Sequence, residues 1–316
     1  MMNIQTISIV VPTKGCVNQC PFCVSRMHEN NYHGKDVDVF QLEKRIKWAT
    51  MNGITTCVIT GTGEALQNYR FLNELADLFD EMNHPFPNVE FQTTGIMLMD
   101  YKESGYIRGE DGEYVTVKHY KAIDILKRLG VNTISLSVSD VFNDVRNNEI
   151  IGTNEKTTIT LEPLIKFLKS HKFNVRLSLN MLKSYNMKSP VEILERCKEL
   201  GADQVTFRKM YSASDDHSSE AVWVTGNSCS NLKINEIIEY IAGGRDFVDP
   251  RVTVQGHGKY LYTLPFGAKV YSILGMSTVV DDDCMSKQND EALKYVILRE
   301  NGKLYARWDD EGSLIF

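Results

Sequence analysis

Along the first two-thirds of the chain, short runs rich in β-branched residues alternate with stretches whose apolar positions recur every three or four residues. Residues 7–13 (ISIVVPT) form the first such run, after which Val39, Leu42, Ile46 and Ala49 fall at helical spacing. The same pair of signals returns at residues 55–60, followed by Phe71, Leu75, Leu78 and Phe79, and at residues 88–94, followed by Ile125, Leu126 and Leu129. It returns again at 132–139, followed by Leu161, Leu164, Ile165 and Leu168, and at 174–181, followed by Ile193, Cys197 and Leu200, before residues 203–208 close the series. A two-residue period marks a strand and a 3.6-residue period a helix. Six strands alternating with helices predict an α/β chain whose parallel sheet is wound as a partial (β/α)6 barrel of the TIM type over residues 1–210.

Two segments break the alternation. Residues 95–118 interrupt the third unit with Gly105, Gly109 and Asp111-Gly112 among tyrosines, the composition of a small hairpin insert. Beyond residue 210 a polar loop and one helical pattern (Ile234, Ile237, Ile238, Ile241) give way to short strand-like runs at 251–255, 269–274, 295–299 and 304–308. Asn301-Gly302 is a strong hairpin signal between the last two. Residues 211–316 therefore read as a C-terminal, antiparallel, β-rich appendage.

Composition narrows the function. Over 316 residues, Lys+Arg of 35 against Asp+Glu of 41 leaves a net charge of −6 without long like-charge runs, which disfavours bulk nucleic-acid binding. The apolar runs are strand-sized, so no membrane span is expected. Met1, Met2, Asn3 and Ile4 open the chain without a basic, apolar export signal, making the cytoplasm the expected compartment. Of seven cysteines, Cys16, Cys20 and Cys23 lie within eight residues, whereas Cys57, Cys197, Cys229 and Cys284 are scattered. Clustering of this kind points to metal rather than disulfides.

Three soft thiolates directly after the first strand suit an iron–sulfur cluster with one iron left open, or, with His28 or His33 as a fourth ligand, a structural zinc site. A non-catalytic zinc-binding module is thus the reading from a different class. Cys57 and Cys197 fall inside apolar patterns and read as core, while Cys284, after three aspartates, is a candidate hydrogen donor or metal ligand set against an inert thiol.

The spacing Cys16-x3-Cys20-x-Phe22-Cys23 resembles the signature of the radical S-adenosylmethionine (radical SAM) superfamily, and the resemblance covers roughly residues 5 to 210. It implies a [4Fe–4S] cluster held by the three cysteines, with Phe22 beside it. The fourth iron would chelate the amino and carboxylate groups of S-adenosylmethionine, whose reductive cleavage gives methionine and a 5′-deoxyadenosyl radical. An electron donor such as flavodoxin or ferredoxin is implied with it. Thr60-Gly61-Thr62-Gly63-Glu64 ends the second strand and looks like the family's Gly-Gly-Glu-Pro motif, departing from it at Thr62 and Ala65. By that likeness Gly61 and Gly63 bring backbone close to the cofactor and Glu64 accepts from its ammonium.

Polar residues also recur on strands that should be apolar if wholly buried. Ser135, Ser137 and Ser139 share one face of the fourth strand, and Ser178 and Asn180 share one face of the fifth. The family's ribose and adenosine contacts favour Ser137, Ser178 and Asn180 as cofactor-binding, against the alternative that they face helices. Arg208, ending the sixth strand, suits a carboxylate or phosphate of cofactor or substrate. Thr93 and Thr94 are rim candidates. Residues 174–210 look most like the molybdopterin-cyclase-like branch, which directs the reading to a nucleotide or other small-molecule substrate. A peptide- or protein-modifying enzyme, including a glycyl-radical activase, is the alternative. The insert and the appendage are the segments available to cover the substrate.

Overall fold

The β-branched runs all become strands, and their two-residue period sorts side chains onto two unlike faces. In the computed structural model, which describes residues 3–27, 39–98, 105–108, 114–117, 119–153, 158–212, 217–245, 253–264, 267–281, 292–293, 295–308 and 310–316, the six expected strands are β1 (Thr6–Val11), β2 (Thr56–Gly61), β3 (Asn88–Thr93), β4 (Thr133–Val138), β5 (Asn174–Asn180) and β6 (Gln204–Arg208). They pair in sequence order, all parallel. Ile9, Ile59, Phe91, Leu136, Leu177 and Phe207 point away from the barrel axis and are fully buried in the core. Each such burial contributes roughly 1.5–3 kcal/mol. The alternate positions are polar: Ser8, Thr60, Glu90, Ser135, Ser178 and Thr206 line a cavity of about 670 Å³. Ser135 and Ser178 therefore face the barrel interior and not the helices.

The helices on the outside follow from their apolar stripes and caps. In α3 (Tyr69–Glu81) Phe71, Leu72, Leu75, Ala76, Leu78 and Phe79 are buried, and the Asn68 side chain caps the start by accepting from Phe71 N at 3.0 Å. The same side chain donates to Pro12 O at 2.7 Å, tying the helix start to the end of β1. Helix α7 (Pro190–Glu199) opens with Pro190 and a reciprocal Ser189–Glu192 capping box, worth about 1 kcal/mol. One helix has no counterpart in the sequence reading: α5 (Asp144–Ile151), whose DVRNNEII lacks an apolar period. Buried asparagines organise it instead, Asn147 Oδ1 accepting from Ser139 N at 2.8 Å and Asn148 Oδ1 from Ile159 N at 2.7 Å.

The C-terminal third joins the same sheet. Its strands β7 (Lys259–Thr263), β8 (Lys269–Ile273), β9 (Met276–Asp281), β10 (Val296–Leu298) and β11 (Leu304–Tyr305) extend it to eleven, in the order β7-β8-β9-β6-β5-β4-β3-β2-β1-β10-β11. The antiparallel pairing expected of the appendage holds for β7–β8, β8–β9 and β10–β11. It does not hold where the appendage meets the barrel, because β9 runs parallel to β6 and β10 parallel to β1. A parallel neighbour needs a long crossover, and residues 209–275, with helices α8 (Ser219–Asn227) and α9 (Asn231–Ala242), supply one for β9. The sheet remains open between β7 and β11. The expected insert hairpin is present as Gly105–Arg108 paired with Tyr114–Val117. No helix among the described residues is long and apolar enough to cross a membrane.

Candidate active site

All the residues singled out on strand ends sit at the carboxyl ends of the parallel strands, where barrel ligands gather. The loop after β1 carries Cys16, Cys20 and Cys23 and passes into the short helix α1 (Val24–Met27), whose Met27 N donates to Cys23 O at 3.1 Å. The loop leans on the end of α5, with Gln19 N donating to Ile151 O at 2.9 Å and the Cys20 thiol to the same oxygen at 3.7 Å. Gly152 caps α5 in the left-handed region (φ 66°), and a Cβ there would stand 2.8 Å from Gln19 Cβ, so glycine is what lets the loop seat.

The Thr60 to Glu64 segment packs directly on the cysteine loop. A Cβ on Gly63 would lie 2.4 Å from Gly15 O and 3.2 Å from Cys16 Cβ. Glu64 N and Asn18 N both donate to the Cys16 sulfur. Burial, then the neighbouring Glu64 and Cys23 charges, push the Cys16 thiol up to about 11. Burial first, then Cys23 and Cys16, push Cys20 up to about 12. Desolvated thiols that repel one another as anions ionise when a cation binds them, and backbone donors to sulfur suit a cluster thiolate. Among the described residues no three His, Cys, Asp or Glu side chains converge on a single ion position. A four-iron cluster asks for wider spacing, since each thiolate takes a different iron. His28, His33 and Cys284 lie outside the described residues.

Glu64 is buried, and its carboxylate is engaged within the protein. Oε1 accepts from Thr93 Oγ1 at 2.6 Å, while Oε2 accepts from Thr94 N and Thr94 Oγ1, each at 3.0 Å. Burial raises its pKa against these donors. Asn18 Nδ2 donates to Thr94 Oγ1 at 3.0 Å, so one chain of hydrogen bonds links cysteine loop, Thr94 and Glu64. Sequence reasoning missed Asn18, although its place between the first two cysteines was visible. The Glu64 side chain thus holds the second and third strand ends together.

Across the sheet, Asn180 Nδ2 donates to Ser137 Oγ at 3.1 Å and Ser139 Oγ at 3.3 Å. Ser178 Oγ and Arg208 Nε are buried without a hydrogen-bond partner, and both residues line the cavity. Orphaned polar atoms in a polar cavity are what a bound ligand satisfies. From the C-terminal third, α8 lies over the cysteine loop: Trp223 stands 5.8 Å from Phe22, centroid to centroid, and Glu220 pairs with Arg26 at 3.0 Å. Glu300, after β10, reaches the same mouth, accepting from Thr62 Oγ1 and Thr13 N. Cys57 and Cys197 are buried in the core as expected.

The family model described as the radical SAM superfamily matches residues 10–197. The chain belongs to that superfamily. The superfamily is named for a [4Fe–4S] cluster that works with S-adenosylmethionine, and the donor set on the cysteine loop fits that pair. The chain is similar to 5-amino-6-(D-ribitylamino)uracil–L-tyrosine 4-hydroxyphenyl transferase of Methanocaldococcus jannaschii, 22% identical over 219 residues that cover 68% of this chain. It spans 57% of that relative's length. Among solved structures it is similar to anSMEcpe with bound AdoMet (TM-score 0.48, 14% identity, 74% of this chain and 59% of that one). It is also similar to methylornithine synthase PylB (TM-score 0.47, 15% identity, 75% and 62%).

Proposed function

We propose that this radical SAM enzyme abstracts a hydrogen atom from a small, polar molecule held inside the barrel. Cys16, Cys20 and Cys23 hold the cluster beside Phe22. The backbone of Gly61, Gly63 and Glu64, fixed by Thr93 and Thr94, receives the methionyl part of the cofactor. Ser137, Ser178 and Asn180 receive its ribose, and Arg208 takes a carboxylate or phosphate. When bound, the cluster passes one electron to S-adenosylmethionine, breaking its C5′–S bond to give methionine and the 5′-deoxyadenosyl radical that takes the substrate hydrogen. A one-electron donor such as flavodoxin or ferredoxin supplies the reductant.

The observation that supports this reading is the partly open cavity of about 670 Å³ inside the barrel, lined by Ser135, Ser178, Thr206 and Arg208 among others. Its size suits a small molecule better than a folded protein. The similar curated protein is named for acting on a uracil derivative and tyrosine, which agrees in substrate size. The insert hairpin and residues 211–316 act as the cover that keeps the radical from water.

Anaerobically reconstituted enzyme, given dithionite and S-adenosylmethionine, should form 5′-deoxyadenosine faster with a deproteinised small-metabolite fraction than without it. Stimulation only by a macromolecular fraction would sink the small-substrate reading. Deleting residues 106–114 should leave cofactor cleavage measurable and uncouple it from product; normal product formation would show that the insert is decoration.

A further inference from the structure

The cavity inside the barrel has two unlike walls. Strands β1 to β6 line it mainly with polar side chains, whereas the C-terminal third lines it mainly with apolar and aromatic ones. Tyr262, Leu264 and Val270 come from the β7–β8 hairpin, and Tyr295 and Trp308 flank the β10–β11 hairpin. Ser277 and Asp281, on β9 beside β6, are the polar exceptions. Because the sheet is open between β7 and β11, these two aromatic groups stand on opposite banks of the gap. On the first bank Val270 is the cross-strand partner of both Tyr262 and Val279, so the three share one face of the sheet. On the second bank Arg299 holds the chain around Trp308. One of its guanidinium nitrogens donates to Arg307 O and Trp308 O, each at 2.8 Å, and the group lies 4.0 Å from the centre of the Tyr305 ring. A wall fixed before anything binds leaves little ordering cost for a ring that settles on it.

The residues proposed to hold the cofactor lie elsewhere. Gly61, Ser137, Ser178 and Asn180 belong to β2, β4 and β5 in the middle of the sheet, while the gap is bounded by strands beyond β6 and β1. Between the two regions stands Arg208, at the end of β6, which lines the cavity and whose Nε is buried without a hydrogen-bond partner. A planar guanidinium takes a carboxylate or phosphate, and an aromatic wall takes a flat ring. We propose that the substrate joins a flat aromatic or heteroaromatic ring to a carboxylate or phosphate, the ring lying at the gap against Leu264, Val270 and Trp308 and the anion on Arg208. This rests on the reading of the barrel cavity as the substrate chamber, and it names the class of molecule the chamber takes.

Three small probes divide the two parts: 3-phenylpropionate carries ring and anion, 3-phenylpropan-1-ol the ring alone and butyrate the anion alone. Equilibrium dialysis against cluster-loaded enzyme holding S-adenosylmethionine, without reductant, should show 3-phenylpropionate bound most tightly. Trp308→Ala should weaken that probe by about 2- to 12-fold, the worth of one aromatic pair, leave butyrate unchanged, and be largely reversed in Trp308→Phe. Arg208→Gln should weaken 3-phenylpropionate by about 10- to 150-fold, the range of a charge-assisted hydrogen bond, and leave 3-phenylpropan-1-ol unchanged. Equal binding of the three probes, no binding of 3-phenylpropionate to wild type, or equal losses for ring and anion probes in Trp308→Ala overturns the inference. The small-metabolite fraction supplies the second arm. Material that stimulates 5′-deoxyadenosine formation should be held by an anion exchanger and should absorb ultraviolet light above 250 nm. Stimulating material that lacks either property overturns the inference and leaves the small-substrate reading standing, whereas no stimulation by that fraction removes both.

Discussion

The barrel strands β1 to β6 and the C-terminal third contribute to the same mouth by different kinds of contact. In the barrel, each side chain reaches the site because it ends a strand, so sequence position and spatial position are nearly the same information. Cys16, Gly63, Thr94, Asn180 and Arg208 are all found by walking to the end of a β-branched run. In the C-terminal third the contacts cross the chain: Glu300 meets Thr62 over a separation of 238 residues, and Trp223 meets Phe22. On the proposed reading the barrel places the cofactor machinery and the C-terminal third closes around it. Loss of a residue from the first region should therefore abolish chemistry, and loss from the second should weaken or loosen it.

The largest contrast is within the cysteines. Cys16→Ala, Cys20→Ala or Cys23→Ala should each remove the cluster's visible absorption and all cofactor cleavage. Cys57→Ala, fully buried on the helix-facing side of β2, should keep full iron content and lose only about 1 kcal/mol of stability. Iron and sulfide analysis beside the absorption spectrum decides it, and an intact cluster after removal of any of the three would break the assignment.

Two glycines on adjacent loops make the next comparison. Gly63→Ala forces a methyl into the Gly15 carbonyl and the Thr13 hydroxyl, whereas a Cβ on Gly15 meets nothing within 4 Å. Overpacking of this kind costs about 1–3 kcal/mol, and here it pushes the cysteine loop off the second strand end. Cofactor affinity and cluster yield should fall in Gly63→Ala and stay near wild type in Gly15→Ala. Equal behaviour of the two would mean that the loops do not pack as described.

The same division explains what was legible in the sequence. Strand limits were readable to within about two residues, because β-branched runs bounded by polar residues are local signals. The two-residue period puts Ser135 with Ser137 on one face and Ser178 with Asn180 on one face, but which way those faces point is not a local signal; the cavity lining places Ser135 and Ser178 inward. Helix α5 was not legible, since buried Asn147 and Asn148 hold it in place of an apolar stripe. Nor was the parallel seating of β9 and β10, which depends on a crossover and on neighbours far away in sequence. Glu64 shows the limit of a motif: Thr93 and Thr94 donate to its carboxylate, and nothing local announces that. Glu300 was passed over although Asn301-Gly302 marked the turn beside it, because its partners lie on the first two strand ends.

The smallest expected effects are at the seam between the regions, where α8 lies on the cysteine loop. Trp223→Ala removes the ring that packs on Phe22, a contact worth about 0.5–1.5 kcal/mol beyond the area it buries. At that cost the melting midpoint should drop by about 1–4 °C, and the cluster should become easier to bleach in air because its cover has thinned. Glu220→Gln removes the charge that pairs with Arg26, whose side chain is 45% exposed, and keeps an amide that can still bond Ser219 Oγ. Such a pair contributes no more than about 1 kcal/mol, and salt near 1 M, where the screening length is about 3 Å, should erase even that difference. The ordering separates packing from charge at the seam. If Glu220→Gln hastened cluster bleaching as much as Trp223→Ala at high salt, the C-terminal third would be acting through something other than coverage of the loop, and the division between a barrel that places and an appendage that covers would fail at its own boundary.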